Sequence, residues 1–295
     1  MNYALFLGCT IPIRAQNYEM SAREVAKKLG INFIDIPDFS CCGFPVKSSN
    51  AESSLVIAAR NIAIAEKNGE NICTLCNACT SVLSEANKEL AENKQLKKKV
   101  NKELKKVGLE YKNGVTIKHF SRILYEDIGI DKIQENITED QNLSSLSMSI
   151  HYGCHYLRPS ELYDGFDDCE HPVSVENLVA MTGVAVVDYK NKLDCCGGAI
   201  LGVEEDIALS MAKDKLDNIT KNNVDALVTI CPFCSIMYED NQRKIESKFH
   251  VEYNLPVLYY PQVLGLALGI EPKSLGFRLN KIKAKKILEK AGVKM

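Results

Sequence analysis

An order of cysteines that occurs twice constrains this chain more than any other feature of its sequence. The first half carries, in order, FLGC (6–9), SCCGFP (40–45) and TLCNACTSV (74–82). The second half carries HYGC (151–154), DCCGGA (194–199) and TICPFCSIM (229–237) in the same order. A fourth pair of segments follows, TIKHFSRILYEDIGI (116–130) and PVLYYPQVLGLALGI (256–270). Motifs that repeat in the same order with connections of different length are typical of an ancient duplication, so the sequence predicts two domains of one kind.

The predicted domains are residues 1–145 and residues 146–295. The joint falls in QENITEDQNLSSLSM, a polar, serine-rich stretch without apolar periodicity. The first domain includes a charged helical insertion near residues 85–110, and the second ends in a basic C-terminal tail.

Strand and helix patterns alternate within each half. NYALFLGC and MSIHYGC predict strands that end at a cysteine, and NICTLC and ALVTICPFC predict strands that end at a C-x-x-C. SSLVIAARNIAIAEKNG and EDIALSMAKDKLDNITKNN have the apolar spacing of helices. We therefore expect an α/β fold of two tandem domains related by a pseudo-two-fold axis. Each would be a mostly parallel sheet flanked by helices, with the cysteines at the carboxyl ends of the strands.

Composition narrows the function classes. Apolar residues make up 46% of the chain, charged residues 25%, and the net charge is −2, which favours neither nucleic acid nor an anionic membrane. The N-terminus has no secretory signal pattern, and VLYYPQVLGLALGI is too short and interrupted to span a bilayer. We expect a cytoplasmic protein, where regularly spaced cysteines are more often metal ligands or catalytic groups than disulfides.

Five cysteines per repeat suit a polynuclear cluster better than a mononuclear metal. They are Cys9, Cys41, Cys42, Cys76 and Cys79 in the first repeat, and Cys154, Cys195, Cys196, Cys231 and Cys234 in the second. Zinc takes four ligands, and adjacent cysteines strain the geometry around one ion. Several irons lie apart, so neighbouring thiolates can reach different irons. Gly43, Gly197 and Gly198 would let the backbone approach a bulky cofactor.

Two cysteines have no counterpart in the other half. Cys73 forms a second C-x-x-C with Cys76, but the aligned flanks TLC and TIC favour the pair Cys76 and Cys79. Cys169 lies in the acidic segment GFDDCEH. We predict that both lie outside the ligand sets.

The ten matching cysteines resemble the cysteine-rich CCG domain family, and the whole chain looks like the B-subunit family of heterodisulfide reductases. That resemblance implies two non-cubane [4Fe-4S] clusters, each held by the five cysteines of one repeat and facing each other. The implied reaction reduces the mixed disulfide of coenzyme M and coenzyme B to two thiols. One iron on each side would capture one of the two sulfurs, which gives the duplication a chemical reason.

The resemblance also directs attention to residues around the cysteines. The substrate carries a sulfonate, a carboxylate and a phosphate, so cationic residues should line its pocket. Arg14 and Arg158 follow the first cysteine of each repeat, and Lys47 follows the first Cys-Cys pair. His151 and His155 flank Cys154, and His155 is the preferred proton donor.

The resemblance further implies that the chain works with a flavin-containing A-subunit together with a ferredoxin-like C-subunit, fed by a hydrogenase or formate dehydrogenase. This chain has neither a dinucleotide fingerprint nor a ferredoxin cysteine run, which fits a catalytic subunit supplied from outside. The nearest alternative is an electron-transfer CCG subunit of a lactate, glycolate or succinate oxidoreductase. A zinc-stabilised scaffold without catalysis is the third possibility.

Overall fold

The chain folds into two four-stranded sheets of one topology, as a computed structural model that describes residues 1–137 and 143–293 shows. The first sheet has the order β2-β1-β3-β4 and the second the order β6-β5-β7-β8, and every strand pair is parallel. The strands are β1 (Asn2–Phe6), β2 (Asn32–Ile34), β3 (Ile72–Thr74), β4 (Ile117–His119), β5 (Ser147–His151), β6 (Ala185–Val186), β7 (Ala226–Thr229) and β8 (Val257–Tyr259). The predicted α/β class with parallel sheets is confirmed.

Helices cover the sheets and connect the strands. In the first half they are α1 (Ile11–Arg14), α2 (Gln16–Lys28), α3 (Phe44–Lys47), α4 (Ala51–Asn68), α5 (Asn77–Glu92), α6 (Lys94–Leu104), α7 (Phe120–Arg122) and α8 (Ile130–Gln134). In the second half they are α9 (Cys154–Leu157), α10 (Ser174–Ala180), α11 (Glu205–Thr220), α12 (Pro232–Ser235), α13 (Gln242–Phe249), α14 (Tyr260–Ala267) and α15 (Lys285–Lys290). Two π-helical turns, Ile123–Ile128 and Ile236–Asp240, continue α7 and α12.

Local sequence explains where the long crossover helices begin and end. The side chain of Asn50 caps α4 by accepting a hydrogen bond from the Ser53 backbone, and Gly69 ends the helix in a left-handed conformation. Alanine and isoleucine make up most of the buried face of α4, which packs beside α5. The charged segment near residues 85–110 is helical in α5 and α6, and the shorter α13 follows α12 in the second half.

The two halves share their hydrophobic cores. One core cluster joins α2 to α14, and the ring of Tyr18 stacks on that of Tyr259 with centroids 4.1 Å apart. The other joins α4 and α5 of the first half to α11 of the second. Part of the predicted joint, residues 138–142, lies outside the described residues. Because apolar surface from both halves is buried in the same clusters, the hydrophobic effect holds the repeats against each other.

Each fold half places its cysteines at one edge of its sheet. Cys9 and Cys76 follow β1 and β3, and Cys154 and Cys231 follow β5 and β7. Parallel strands end at the same edge, which is where ligands of α/β sheets bind. Within the described ranges, the helices are too short or too polar to traverse a bilayer.

Candidate iron–sulfur site

Five thiols of the first repeat contact one another in a continuous series. The Sγ atoms of Cys9 and Cys41 lie 3.9 Å apart. Hydrogen bonds then connect Cys41 to Cys42, Cys42 to Cys79, and Cys79 to Cys76. Cys9 is exposed and Cys76 is buried, so the series runs from the surface into the interior.

The second repeat has the same series in the same order. Hydrogen bonds connect Cys154 to Cys195, Cys195 to Cys196, Cys196 to Cys234, and Cys234 to Cys231. In both repeats the first cysteine meets the Cys-Cys pair, and the pair meets the second cysteine of the C-x-x-C. The fold therefore brings all five predicted thiols of each repeat together.

The two series meet at their inner ends. The Cys76 thiol hydrogen-bonds to the Cys231 thiol, and the Asn77 backbone N–H also donates to Cys231. The side chain of Asn77 donates to the Tyr152 carbonyl at 2.7 Å, which ties α5 to the second repeat. Ten thiols thus form one connected set across the boundary between the repeats.

Tight glycine turns hold each Cys-Cys pair. Gly43 has φ +97° and Gly197 has φ +82°, and the backbone N–H groups of these glycines donate to Cys41 and Cys195 at 3.5 and 3.4 Å. A Cβ atom at either glycine would lie 2.9 Å from a backbone oxygen of the following crossover helix. Only glycine both adopts this left-handed φ readily and leaves room for the helix backbone to lie so close.

The thiols of each Cys-Cys pair differ in acidity. The hydrogen bond with Cys79 lowers the pKa of Cys42 to about 7, whereas burial raises the pKa of Cys41 to about 11. In the second repeat, the hydrogen bond with Cys154 lowers the pKa of Cys195, and the bond with Cys195 raises the pKa of Cys196 to about 12. Clustered thiols cannot all ionise unless a cation compensates their charge.

Two small cavities open onto the two thiol series, and the same two rings line both. Phe44 and Phe233 are in edge contact, with centroids 5.9 Å apart. The cavity at the second series is also lined by Cys154, Cys195, Cys196, Cys231, Cys234 and His155. The cavity at the first series is also lined by Cys9, Cys42, Cys76, Cys79, Pro45 and Pro232. Sequence reasoning missed both phenylalanines, because their positions in the two motifs are not equivalent.

The predicted proton donor His155 lies at the second cavity. Its Nδ1 is 3.3 Å from the Cys154 Sγ, and its ring meets that of Phe44 edge-on with centroids 5.4 Å apart. Burial lowers the pKa of His155.

The three predicted cationic residues are exposed and do not line either cavity. Arg14 forms an ion pair with Asp240 at 2.8 Å, and Lys47 pairs with Glu85. Arg158 donates to the Cys169 carbonyl at 3.0 Å.

The two unmatched cysteines lie outside the thiol series. Cys73 lies on β3, is fully buried, and hydrogen-bonds to the Thr74 carbonyl. Cys169 is half-buried and packs at the periphery of a core cluster.

The chain matches a known protein family along most of its length. A family model described as the cysteine-rich domain matches the chain twice, at residues 3–84 and 148–239. The B-subunit of a ferredoxin:CoB-CoM heterodisulfide reductase from Methanosarcina mazei is 37% identical over 97% of this chain and 96% of its own length. The chain belongs to the heterodisulfide reductase B-subunit family.

Other relatives of the chain carry different names. A protein of Wolinella succinogenes called the membrane anchor subunit of 8-methylmenaquinol:fumarate reductase is 32% identical over 97% of this chain and 98% of its own. The crystal structure of a hypothetical protein from Helicobacter pylori superposes with a TM-score of 0.77 at 18% identity. That match covers 96% of this chain but 52% of the other, and it shows a shared fold.

Membership of this family implies iron–sulfur clusters, and the donor sets fit such clusters. Each repeat offers five soft sulfur ligands in mutual contact, with backbone amides donating to the sulfurs. Hydrogen bonds of this kind are a recurring feature of protein-bound iron–sulfur centres. A closed tetrahedral zinc site would leave one thiol of every five without a role.

Proposed function

We propose that this chain is the subunit that reduces the coenzyme M–coenzyme B heterodisulfide to two thiols. The observation that carries the proposal is the pair of matching five-thiol sets that meet at Cys76 and Cys231. A disulfide also has two reacting sulfur atoms, one for each set. The curated relative from Methanosarcina mazei, matched over nearly the full length of both chains, is named for this substrate.

The proposed cofactors are two non-cubane [4Fe-4S] clusters. One would be held by Cys9, Cys41, Cys42, Cys76 and Cys79, and the other by Cys154, Cys195, Cys196, Cys231 and Cys234. When bound, they would supply electrons singly and irons with an affinity for sulfur. The glycine turns at Gly43 and Gly197 hold the adjacent sulfurs so that each can meet a different iron.

Aromatic residues would keep water away from the reacting disulfide. Phe44 and Phe233 contact each other and line both cavities, one cavity at each thiol set. Their rings would exclude water from the sulfurs, which strengthens electrostatic interactions within the site.

His155 is the proposed source of a product proton. Its lowered pKa keeps the imidazole neutral before reaction. A thiolate forming nearby would raise the pKa of His155, because opposite charges stabilise each other at short range, so the imidazole would take up a proton from solvent and pass it to the thiolate. Release of the product would reverse that effect.

Arg14, Lys47 and Arg158 are the proposed partners of the substrate's anionic groups. Each is exposed and held by one acceptor, so a sulfonate or phosphate would compete with Asp240, Glu85 or the Cys169 carbonyl. Exposed ion pairs stabilise by only about 0–1 kcal/mol, so this exchange has a small cost.

The curated relatives are named as subunits, and we propose that this chain also works in an assembly. Its partners would be a flavin-containing A-subunit together with a ferredoxin-like C-subunit, with a hydrogenase or formate dehydrogenase as the source of electrons. The proposed compartment is the cytoplasm, where regularly spaced cysteines are more often metal ligands or catalytic groups than disulfides.

The decisive experiment is an anaerobic assay of the chain purified with its partners. Reduced methyl viologen is mixed with the heterodisulfide, and dye oxidation and both thiols are measured. Homodisulfides of the two coenzymes serve as controls for unspecific oxidation. Turnover that requires the heterodisulfide supports the proposal. No turnover by protein that retains about eight irons contradicts it.

A second candidate function is electron relay to a different acceptor. The relative from Wolinella succinogenes belongs by name to a fumarate reductase and matches this chain over nearly its full length. If the chain is a relay, dithionite reduces both centres, and the heterodisulfide does not reoxidise them in the presence of the partner subunits.

A further inference from the structure

A lysine is buried beside the second thiol set. Lys215 lies on the apolar face of α11 and is 1% exposed. Its Nζ donates to the carbonyls of Asp194 at 2.6 Å and Lys192 at 3.0 Å, just before the Cys-Cys pair. Lysine is almost never fully buried unless a partner compensates its charge.

The partners of Lys215 include a buried histidine. The Nζ of Lys215 lies 3.2 Å from Nδ1 of His151, which is also 1% exposed. The Nε2 of His151 has no hydrogen-bond partner among the described residues. A ring nitrogen of His151 and the sulfurs of Cys196 and Cys234 all lie within 4.8 Å of one another.

The ammonium group fixes which nitrogen of His151 carries the proton. An ammonium has three donors and no acceptor, so the Nδ1 atom that faces it accepts. The proton of a neutral imidazole is then on Nε2, the nitrogen without a partner. The Lys192 carbonyl also lies near the ring, but a proton on Nδ1 would face the ammonium group of Lys215, which has no acceptor for it.

The first repeat has no such pair at the matching positions. The β1–β3 register pairs Phe6 with Thr74, and the β5–β7 register pairs His151 with Thr229, so Phe6 is the counterpart of His151. Gly43 approaches Ser54 as Gly197 approaches Ala208, and the same offset makes Asn61 the counterpart of Lys215.

Asn61 also hydrogen-bonds to the segment that carries its Cys-Cys pair, but its side chain is uncharged. Its Nδ2 donates to the Cys41 carbonyl at 3.0 Å, and its Oδ1 accepts from the Ser40 backbone at 2.9 Å. Both Asn61 and Lys215 therefore brace the segment that carries the Cys-Cys pair. In the second repeat the brace itself is a buried cation, whereas the cation near the same segment of the first repeat, Arg60, is only partly buried and donates to the Asp38 carbonyl.

Two carbonyl oxygens stabilise the positive charge of Lys215. Its Nζ donates to both, and hydrogen bonds to the charged form of a group favour that form. Burial acts in the opposite direction and lowers the pKa of Lys215 to about 8.

We propose that Lys215 and His151 act together as positioning residues that give the second thiol set a higher reduction potential than the first. This inference rests on the proposed iron–sulfur function. The Nε2–H of His151 would donate to the sulfur of Cys196 or Cys234, and Lys215 would add a fixed positive charge. Donors to sulfur and added positive charge stabilise the reduced state of an iron–sulfur centre.

The inference is tested by anaerobic redox titration of the chain with its clusters, using dithionite as the electron donor and electron paramagnetic resonance as the readout. His151→Phe copies the residue of the first repeat, and Lys215→Gln keeps donors for the carbonyls but removes the charge. In each variant we expect the one-electron reduction equilibrium constant of one centre to fall at least tenfold, which is about 59 mV. The other centre should change less than threefold.

Two further variants separate this role from simple structural support. His151→Gln keeps an N–H donor and should restore much of the potential lost in His151→Phe. Lys213→Met removes a partly exposed cation from the same helix, where Lys213 pairs with Asp217, and should leave both potentials unchanged.

The possible outcomes separate the two proposals. Wild-type chain without iron and sulfide would contradict the iron–sulfur function itself. Wild-type iron content with unchanged potentials in both variants, or equal shifts at both centres, would overturn the role of Lys215 and His151. If one variant loses iron, the other variant and His151→Gln decide the question.

Discussion

The thiols of Cys76 and Cys231 hydrogen-bond to each other across the boundary between the repeats. Each thiol is the innermost member of its own series, and Cys9 is the outermost member of the first. A change at Cys76 therefore acts on both sets, whereas a change at Cys9 acts on one.

This contact predicts unequal effects of two cysteine substitutions. We expect Cys76→Ala to alter the electron paramagnetic resonance spectra of both centres, and Cys9→Ala to alter that of one. Cys169→Ala lies outside both series and should change neither iron content nor spectra. Identical one-centre effects of Cys76→Ala and Cys9→Ala would show that the sets are independent.

The glycine turns predict a clear difference between two Gly→Ala variants. Gly197→Ala places a Cβ 2.9 Å from the Ala208 oxygen at φ +82°, and a left-handed non-glycine residue costs about 1–2 kcal/mol before any clash. We expect at least that loss in free energy of unfolding, with loss of iron from one centre. Gly202→Ala, which meets no atom within 4 Å, should stay within about 0.5 kcal/mol of wild type. Equal free energies of unfolding for the two variants would contradict the requirement for glycine at position 197.

His119 predicts a pH dependence of stability. It is buried, its Nδ1 accepts from the Ser121 backbone, and its Nε2 lies 3.0 Å from the Ile230 carbonyl of the other repeat. Burial lowers the pKa of His119 from 6.5 to about 4. Between these values the unfolded chain binds more protons than the folded chain, so stability falls as pH drops from 6.5 toward 4. The full effect is about 3 kcal/mol.

The measurement is the thermal midpoint at pH 5 and pH 7.5 for wild type and His119→Asn. Asparagine keeps an acceptor for the Ser121 backbone but does not titrate, so the acid-induced loss should be smaller in the variant. His171→Asn, at an exposed histidine, should follow the wild type. Parallel pH profiles for wild type and His119→Asn would exclude this role for His119.

Arg14 provides a test of substrate recognition. If it binds an anionic group of the disulfide, Arg14→Gln should raise KM about tenfold with kcat little changed, because one charge-assisted hydrogen bond is lost. Arg23→Gln is a matched control, since Arg23 also pairs with carboxylates, those of Glu19 and Asp35, in the first repeat. An unchanged KM in Arg14→Gln would show that Arg14 does not bind the substrate.

Sequence by itself determined the duplication, the parallel α/β class and the order of the ten cysteines. These features depend on local spacing and periodicity, which a sequence displays directly. Each fourth strand, β4 and β8, was not predicted as a strand, because it continues without a break into the helix that follows it. The apolar spacing of α11 includes Lys215, an exception that could have drawn attention to it.

Only the tertiary structure decided how the repeats face each other. It brought Cys76 to Cys231 and Phe44 to Phe233, and it placed Lys215 against His151. These residues are 155, 189 and 64 positions apart, and motif spacing carries no information about the packing of one domain on another. Shared burial of apolar surface fixes that packing, whereas the contact of Lys215 with His151 comes from the packing of α11 on β5 within the second domain.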